Sequence, residues 1–259
     1  MRTLLETLLS EKKNKNKNGI YHRFQIDFAY NSNHIEGSRL THDQTRYIFE
    51  TKTIDTEHSE AVIKVNDIIE TINHFKCFDF ILDTVNEPLT EDYIKTLHGM
   101  LKSGILYDDV DVVVGDYKKY PNEVGFQQTT EPERVSDEIK RLTEKYGSSQ
   151  LGLYEIAAFH AEYEKIHPFY DGNGRTGRLI MFKQCLQNNI VPFFIDEFSK
   201  VFYYMGLEEW HRNNFDERLI NVFLAAQDTT KKILDYFRID YDSKHEEYKD
   251  IIAKRIITE

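Results

Sequence analysis

The sequence predicts an all-α fold that carries one short β-hairpin. Apolar residues recur at helical spacing through most of the 259 residues, and only one stretch has clear strand character. The chain has only 12 Gly and 5 Pro, which is few for a many-turned β-sandwich or barrel. Because 40% of the residues are hydrophobic, wholesale disorder is excluded. The length exceeds that of one usual domain, so we expect one large domain or a core with a small appended one.

The overall charge excludes several classes of partner. The chain has 33 basic and 44 acidic residues and a net charge of −11. It is therefore predicted to be a poor general binder of nucleic acid or anionic membranes, although a local cationic pocket stays open. Cys77 and Cys185 lack the spacing of a disulfide framework or a zinc site. The short N-terminal apolar run is interrupted by Glu6 and precedes its cationic residues, so we expect no export signal and a cytoplasmic protein.

The N-terminal region is predicted to hold a linker and two helices. Lys and Asn alternate over residues 11–19, which indicates a solvated linker or a frayed helix end. From Tyr21 the apolar residues predict a buried helix that ends near Gly37, a suitable C-cap residue. A further helix is expected to begin after Thr41.

The rest of the chain continues the helical theme, with one interruption. Helical periods predict helices at residues 65–75, at 94–101 after the cap residue Thr90, and at 135–146. Residues 111–126 predict the hairpin, with strands at 112–114 and 124–126 around a polar turn. Since an isolated hairpin is marginally stable, we expect it to pack on the helical core as a flap. The tail from about 231 to 259 is predicted to be a charged amphipathic helix.

The segment HPFYDGNGRTGR, residues 167–178, predicts an anion site between two helices. Gly172 and Gly174 flank Asn173 at a predicted helix start, where backbone N–H groups can turn inward and the helix dipole favours negative charge. This pattern is typical of a phosphate-binding loop.

The charged residues of the same segment extend that prediction. Arg175 and Arg178 are three apart, so both guanidinium groups share one helix face and can reach one polyphosphate. Asp171 beside an anion site suits Mg²⁺, which takes few protein carboxylates together with phosphate oxygens. His167 supplies a base with an ordinary pKa near neutrality. Each residue alone has an ordinary structural explanation, but the combination is what phosphoryl or nucleotidyl transfer to a hydroxyl requires.

The segment resembles the signature of the Fic family, His-x-Phe-x-Asp/Glu-Gly-Asn-Gly-Arg-x-x-Arg, without a departure, and the resemblance extends over roughly residues 20–225. It implies a helical core with a hairpin flap and transfer of AMP from Mg²⁺-ATP, with Mn²⁺ as an alternative metal, to a Ser, Thr or Tyr hydroxyl of a protein target, including the chain itself. His167 would be the base, Asp171 would bind the metal and Arg178 the γ-phosphate. The α- and β-phosphates would be bound by Gly172, Asn173, Gly174 and Arg175.

The resemblance also assigns target docking and a nucleotide-base pocket. The flap would hold the target segment by backbone strand pairing, which aligns a hydroxyl whatever the neighbouring side chains are. The flap residues that match are Gly115, Tyr117, Lys118, Val124 and Gly125. Tyr203 is expected to contact adenine, and His211 is expected to reach the same pocket.

A second motif, Ser32-x-x-x-Glu36-Gly37, resembles the inhibitory helix motif of the family. Taken alone it is an ordinary i, i+4 pair near a helix end. Beside the first motif, the resemblance implies that Glu36 pairs with Arg178 and misaligns ATP, so that the chain inhibits itself. The helix, about residues 20–37, precedes the catalytic motif, as in the subclass with an N-terminal inhibitory helix.

Other interpretations stay open. In some members of the family the acid equivalent to Glu36 aligns water to remove AMP, so a de-AMPylase or a bifunctional enzyme is an alternative, as is transfer of another phosphate-containing group. A non-enzymatic nucleotide-binding module is disfavoured by the intact His167 and Asp171. The expected division is an N-terminal helical region at 1–110, a core at 111–225 and a C-terminal extension at 226–259. A homodimer is possible, and neither nucleic acid nor a membrane is an expected partner.

Overall fold

The computed structural model describes residues 3–54, 62–107, 112–124, 127–147, 150–241 and 246–254. Within these residues the chain is helical apart from one short strand pair and a single 3₁₀ turn at Pro132–Arg134, so the all-α prediction is confirmed. The helices are α1 Leu4–Asn14, α2 Ile20–Ile35, α3 His42–Thr51, α4 Val65–Asp83, α5 Glu91–Leu101, α6 Val135–Gly147, α7 Leu153–Ile166, α8 Asn173–Gln187, α9 Lys200–Asn213, α10 Glu217–Phe237 and α11 Tyr248–Lys254.

Threonine caps fix the starts of three helices. The hydroxyls of Thr3 and Thr41 accept the N3 backbone N–H of α1 and α3, and the N3 side chain bonds back in each capping box. Thr90 accepts the Tyr93 N–H at the start of α5. The starts predicted after Thr41 and Thr90 are confirmed. The helix predicted from Tyr21 is α2, whose end at Ile35 places Glu36 and Gly37 just beyond its last turn.

An aromatic core joins the helices that surround the site. Phe182 of α8 stacks on Phe78 of α4 with ring centroids 4.8 Å apart, and it packs against Phe28 of α2 at 5.3 Å. Each of these rings is at most 2% exposed. Burying a large apolar side chain contributes about 1.5–3 kcal/mol. The core therefore packs α2, α4 and α8 against one another.

A second apolar cluster joins α7, α9 and α10. Phe223 of α10 is fully buried and packs against Phe193, with ring centroids 4.7 Å apart. Leu219 and Leu207 belong to the same cluster. This cluster supports α7, the helix that leads into the 167–178 segment.

The hairpin prediction is wrong in position and size. Residues 112–114 form no strand, and the strands are β1 Glu123–Val124 and β2 Gln127–Gln128, antiparallel with Glu123 opposite Gln128. The apolar run 112–114 instead leads into a turn at Gly115, which has φ +83°. Residues 111, 125 and 126 of the predicted hairpin lie outside the described residues. The segment still packs on the helical core, although by loop contacts.

The C-terminal tail differs from the single predicted helix. Helix α10 continues through residue 237, but Arg238 has φ +56° and ends it. A separate helix, α11, follows at Tyr248–Lys254, where Ile251 is buried against the second cluster. A left-handed residue breaks the helical hydrogen-bond ladder, which charge and apolar periodicity do not reveal. None of the helices in the described part of the chain combines the length and apolarity that crossing a bilayer needs.

Candidate active site

The loop between α7 and α8 carries the predicted site and is held by its own side chains. His167 ends α7 in a left-handed conformation, with φ +50°, and its N–H bonds to the Tyr163 carbonyl. The amide of Asn173 accepts the Phe169 N–H and donates to the Phe169 carbonyl, both at 2.8 Å. The side chain of Asn173 therefore clamps the loop, and only its backbone is available to a ligand.

The start of α8 forms an anion nest, by which we mean residues 172–175. Gly172 has φ +83°, a conformation that suits glycine and that directs the following N–H groups to one side. The first-turn N–H groups of a helix have no intrahelical partner and carry the positive end of its dipole. The left-handed turn expected at Gly172 is present, and binding of an anion there stays a prediction.

The imidazole of His167 is uncharged at neutral pH. Burial, followed by the positive charge of Lys118, lowers the pKa of His167 to about 4. The imidazole is therefore neutral at physiological pH and able to accept a proton.

Asp171 stands beside the nest with a half-exposed carboxylate. Its Oδ2 is 2.5 Å from Lys102 Nζ, and its Oδ1 is 3.4 Å from Arg175 Nη2. Burial acts to raise the pKa of Asp171, but the charges of Lys102 and Arg175 outweigh it and lower the pKa. The described residues contain no group of three His, Cys, Asp or Glu side chains that could enclose a metal. One ionised carboxylate facing a phosphate site is the donor set that fits Mg²⁺.

Arg178 is buried and bound to the end of α2. Its Nη2 is 2.7 Å from Glu36 Oε1 and 2.9 Å from the Ser32 carbonyl, and its Nε donates to Ser32 Oγ at 3.1 Å. Arg178 is 3% exposed and Glu36 28%. Burial acts to raise the pKa of Glu36, but Arg178 and Arg175 outweigh it and lower the pKa. The two predicted motifs, 142 positions apart, therefore meet in one ion pair.

Glu36 also approaches the nest itself. A Cβ placed on Gly174 would lie 2.6 Å from Glu36 Oε1 and 3.0 Å from Arg178 Nη1. Gly174 thus allows the carboxylate to lie against the start of α8. Gly37, the third residue of the motif, has φ +93° and turns the chain after α2.

The segment predicted to form the flap is attached to the loop between α7 and α8. The Lys118 N–H bonds to the Pro168 carbonyl at 2.9 Å, and Lys118 Nζ bonds to Asn122 Oδ1 at 2.7 Å and Thr129 Oγ1 at 2.6 Å. Tyr117 packs against Phe169 with ring centroids 5.5 Å apart. The buried Lys118 is therefore an anchor of the flap. The predicted Val124 pairs by its backbone with Gln127, and Gly125 lies outside the described residues.

The predicted adenine contact at Tyr203 is not available in this structure. Tyr203 is 1% exposed, and its hydroxyl lies 2.7 Å from His160 Nε2. His211 is turned away as well, since its Nε2 bonds to the Ala161 carbonyl at 2.7 Å. Helix α9 turns both rings toward α7. The next residue, Tyr204, is 40% exposed, and the charge of Glu36 adds to burial in raising its pKa to about 12.

Four further residues reach the site that the sequence did not single out. His98 of α5 accepts the Gly115 N–H at Nδ1, so its Nε2 donates to the Asp171 carbonyl at 2.9 Å. Lys102 contacts Asp171, and Glu70 contacts Arg175. Glu164, three residues before His167, is buried, and burial raises its pKa to about 8. Only Glu164 carries a sequence signal, because it is an acid on a largely apolar helix beside the motif.

The sequence model of the Fic/DOC family matches residues 88–185, which include the loop and the nest. The protein adenylyltransferase Fic of Drosophila willistoni is 28% identical over 215 residues, covering 80% of this chain and 40% of that protein. The protein of the same name from Nematostella vectensis is 26% identical over 211 residues, covering 76% of this chain and 48% of that protein. The chain thus spans less than half the length of these curated relatives.

Solved structures share the fold. A Fic domain containing signaling protein from Bacteroides thetaiotaomicron has a TM-score of 0.73 at 22% identity, covering 93% of this chain and 99% of that chain. Fic-1 from C. elegans has a TM-score of 0.66 at 18% identity, covering 90% of this chain and 72% of that chain. Residues 88–185 of this chain are thus similar to the Fic/DOC family, and the chain shares its fold with the solved Fic structures.

Proposed function

We propose that this chain is a protein adenylyltransferase that moves AMP from ATP to a Ser, Thr or Tyr hydroxyl of a protein, and that Glu36 inhibits it. The observation that carries the proposal is the convergence of a neutral His167, an anion nest and a buried Arg178 already bound to a carboxylate. The names of the relatives support the same activity.

The proposed reaction uses each group of the loop once. The target hydroxyl attacks the α-phosphorus, His167 takes its proton, and pyrophosphate leaves. The nest holds the α- and β-phosphates through backbone N–H groups, while Arg175 and Arg178 bind phosphate oxygens. A divalent metal bound at Asp171, Mg²⁺ or Mn²⁺, would neutralise phosphate charge when present. The flap anchored by Lys118 would align the target segment by backbone pairing.

Self-inhibition follows from competition for one guanidinium. Glu36 lies on Arg178, where the γ-phosphate would bind, so ATP must displace a carboxylate or bind out of line. We propose that the N-terminal inhibitory helix is α2 together with Glu36 and Gly37. For the adenine contact we propose Tyr204 in place of Tyr203.

The test is to incubate the Glu36→Gly variant with ATP and Mg²⁺ and to measure AMP increments on the chain and on lysate proteins by mass spectrometry. We expect Glu36→Gly to add AMP and the double variant Glu36→Gly/His167→Ala to add none. The matched control is Glu36→Gly/His42→Ala, because His42 pairs with Asp27 away from the nest. If the His167 variant retains full transfer, the proposed mechanism is refuted.

The alternative with a specific observation is removal of AMP. Glu36 lies against both Arg178 and the backbone of Gly174, so it is near enough to the nest to orient a water molecule. In that case the Glu36→Gly variant would no longer remove AMP from a modified protein, although its rate of AMP transfer would rise. A product increment other than AMP would favour transfer of a different phosphate-containing group, and ATP binding without any increment would favour a regulatory module.

Several wider expectations remain proposals. These are the division at 1–110, 111–225 and 226–259, modification of the chain itself, a homodimer, a cytoplasmic location, and the absence of nucleic acid or a membrane as a partner. The acidic net charge of −11 supports the last of these.

A further inference from the structure

Four side chains around Asp171 form a closed ring of alternating charge, here called the charge ring: Asp171, Lys102, Glu70 and Arg175. Lys102 Nζ contacts both Asp171 Oδ2, at 2.5 Å, and Glu70 Oε1. Glu70 Oε2 contacts Arg175 Nη1, and Arg175 Nη2 returns to Asp171 Oδ1 at 3.4 Å. Two anions and two cations thus balance in one cluster.

The charge ring is assembled from three separate parts of the chain. Glu70 lies on α4, and Lys102 follows the last residue of α5. Asp171 lies in the loop between α7 and α8, and Arg175 lies on α8. The Lys102 side chain is 0% exposed, Arg175 4% and Glu70 11%, whereas Asp171 is 42% exposed. Of the four members, only Asp171 has a substantially exposed carboxylate.

The Lys102 ammonium lies between two carboxylates, where a bound cation would otherwise lie. Its buried stem leaves Nζ little freedom, and the ring of Tyr107 lies 5.4 Å away as a further favourable neighbour for a cation. Buried charges persist only when they are paired, and removing one partner leaves the other uncompensated. Loss of Lys102 would leave Asp171 and Glu70 facing each other with Arg175 alone to balance them.

We propose that Lys102 is a tethered counter-cation of the nucleotide site, which a divalent metal must displace from Asp171 and which lets a triphosphate bind without metal. Glu70 pairs with both Lys102 and Arg175, so its negative charge offsets part of their positive charge at the site. This inference rests on the proposed function only in taking the ligand of the nest to be a triphosphate. It predicts that Lys102 acts oppositely on the two ligands, lowering the affinity for metal and raising that for metal-free nucleotide.

The test is Lys102→Met, measured by two binding assays that involve no turnover. Binding of Mn²⁺ alone is followed by electron paramagnetic resonance, and binding of ATP in excess EDTA by calorimetry. We expect Mn²⁺ to bind at least about tenfold more tightly and metal-free ATP at least about tenfold more weakly, because one positive charge has left a water-poor cluster. The matched control is Lys12→Met, since Lys12 also bridges two carboxylates, Asp79 and Asp83, and contacts no member of the charge ring.

The crossed response separates this role from a structural one. A damaged site would bind both ligands more weakly, and that result, like two unchanged affinities, would overturn the proposal. If Lys102→Met does not fold by circular dichroism, Glu70→Gln takes its place with the opposite signs expected: weaker Mn²⁺ binding and tighter metal-free ATP binding. Since neither assay measures AMP transfer, the charge ring can be supported even if the proposed transferase activity fails, and refuted even if that activity is found.

Discussion

Replacement of Glu36 by Gly is the substitution whose effect on stability and activity can be calculated most directly from the structure. Two unit charges 2.7 Å apart interact by about 6 kcal/mol at an effective dielectric constant near 20, and desolvation offsets part of this. Breaking a buried ion pair costs about 3–5 kcal/mol because the remaining charge stays uncompensated. Arg178 keeps two contacts to Ser32, at 2.9 and 3.1 Å, so we expect the lower end, about 3 kcal/mol.

The same free energy sets the expected gain in activity. If ATP must displace Glu36 from Arg178, about 3 kcal/mol corresponds to roughly 100-fold weaker productive binding in the unaltered chain. Glu36→Gly should therefore raise the rate of AMP transfer roughly 100-fold at subsaturating ATP. It should also lower the melting temperature without nucleotide by about 6–12 °C, and ATP at about 100 times its Kd should restore about 2.7 kcal/mol.

Both quantities are measured on the same protein preparation, by labelled ATP and by thermal unfolding with and without ATP. The control is Glu197→Gly, which removes an exposed carboxylate that lies 3.3 Å from His34 on α2 but does not touch Arg178. It should change the free energy of unfolding by no more than about 0.5 kcal/mol. If Glu36→Gly leaves both the transfer rate and the response to ATP at the level of this control, Glu36 does not restrain Arg178.

The remaining predictions concern the base, a buried acid and the loop. The pKa of His167 is lowered to about 4, so the transfer rate should stay level from pH 8 to pH 6 and fall only toward pH 4; a midpoint near 6.5 would contradict a buried neutral base. The pKa of Glu164 is raised to about 8, so the folded state holds a proton that the unfolded state releases from about pH 4.5 upward, and stability falls as pH rises toward 8. In chemical denaturation, the free energy of unfolding should fall by roughly 2–3 kcal/mol between pH 6 and 8.5, and Glu164→Gln should abolish this fall. An unchanged pH dependence in the variant would refute the raised pKa of Glu164. Gly172→Ala should lower the free energy of unfolding by about 1–2 kcal/mol because of its φ of +83°, whereas Gly147→Ala, with no atom within 4 Å, should not destabilise the chain.

Local sequence signals were sufficient where one short segment determines the geometry. The caps at Thr41 and Thr90 and the turn at Gly172 depend on neighbours within four residues, and the structure has them as expected. The hairpin expected at residues 111–126 failed because β-branched residues favour a strand only when a partner strand is available. The burial of Tyr203 has a related cause, since position along a helix does not say which face a neighbouring helix covers.

The sequence by itself predicted the helical class, the turn at Gly172 and the cluster of ionisable residues in the loop, because these depend on residues close together in the chain. Only the tertiary structure decided which charges face one another. It brought Glu36 to Arg178 from the end of α2, and it brought Glu70 and Lys102 from α4 and α5 to the nest. Such pairings are fixed by helices packed through a shared aromatic core, so no local pattern of charged residues reveals them.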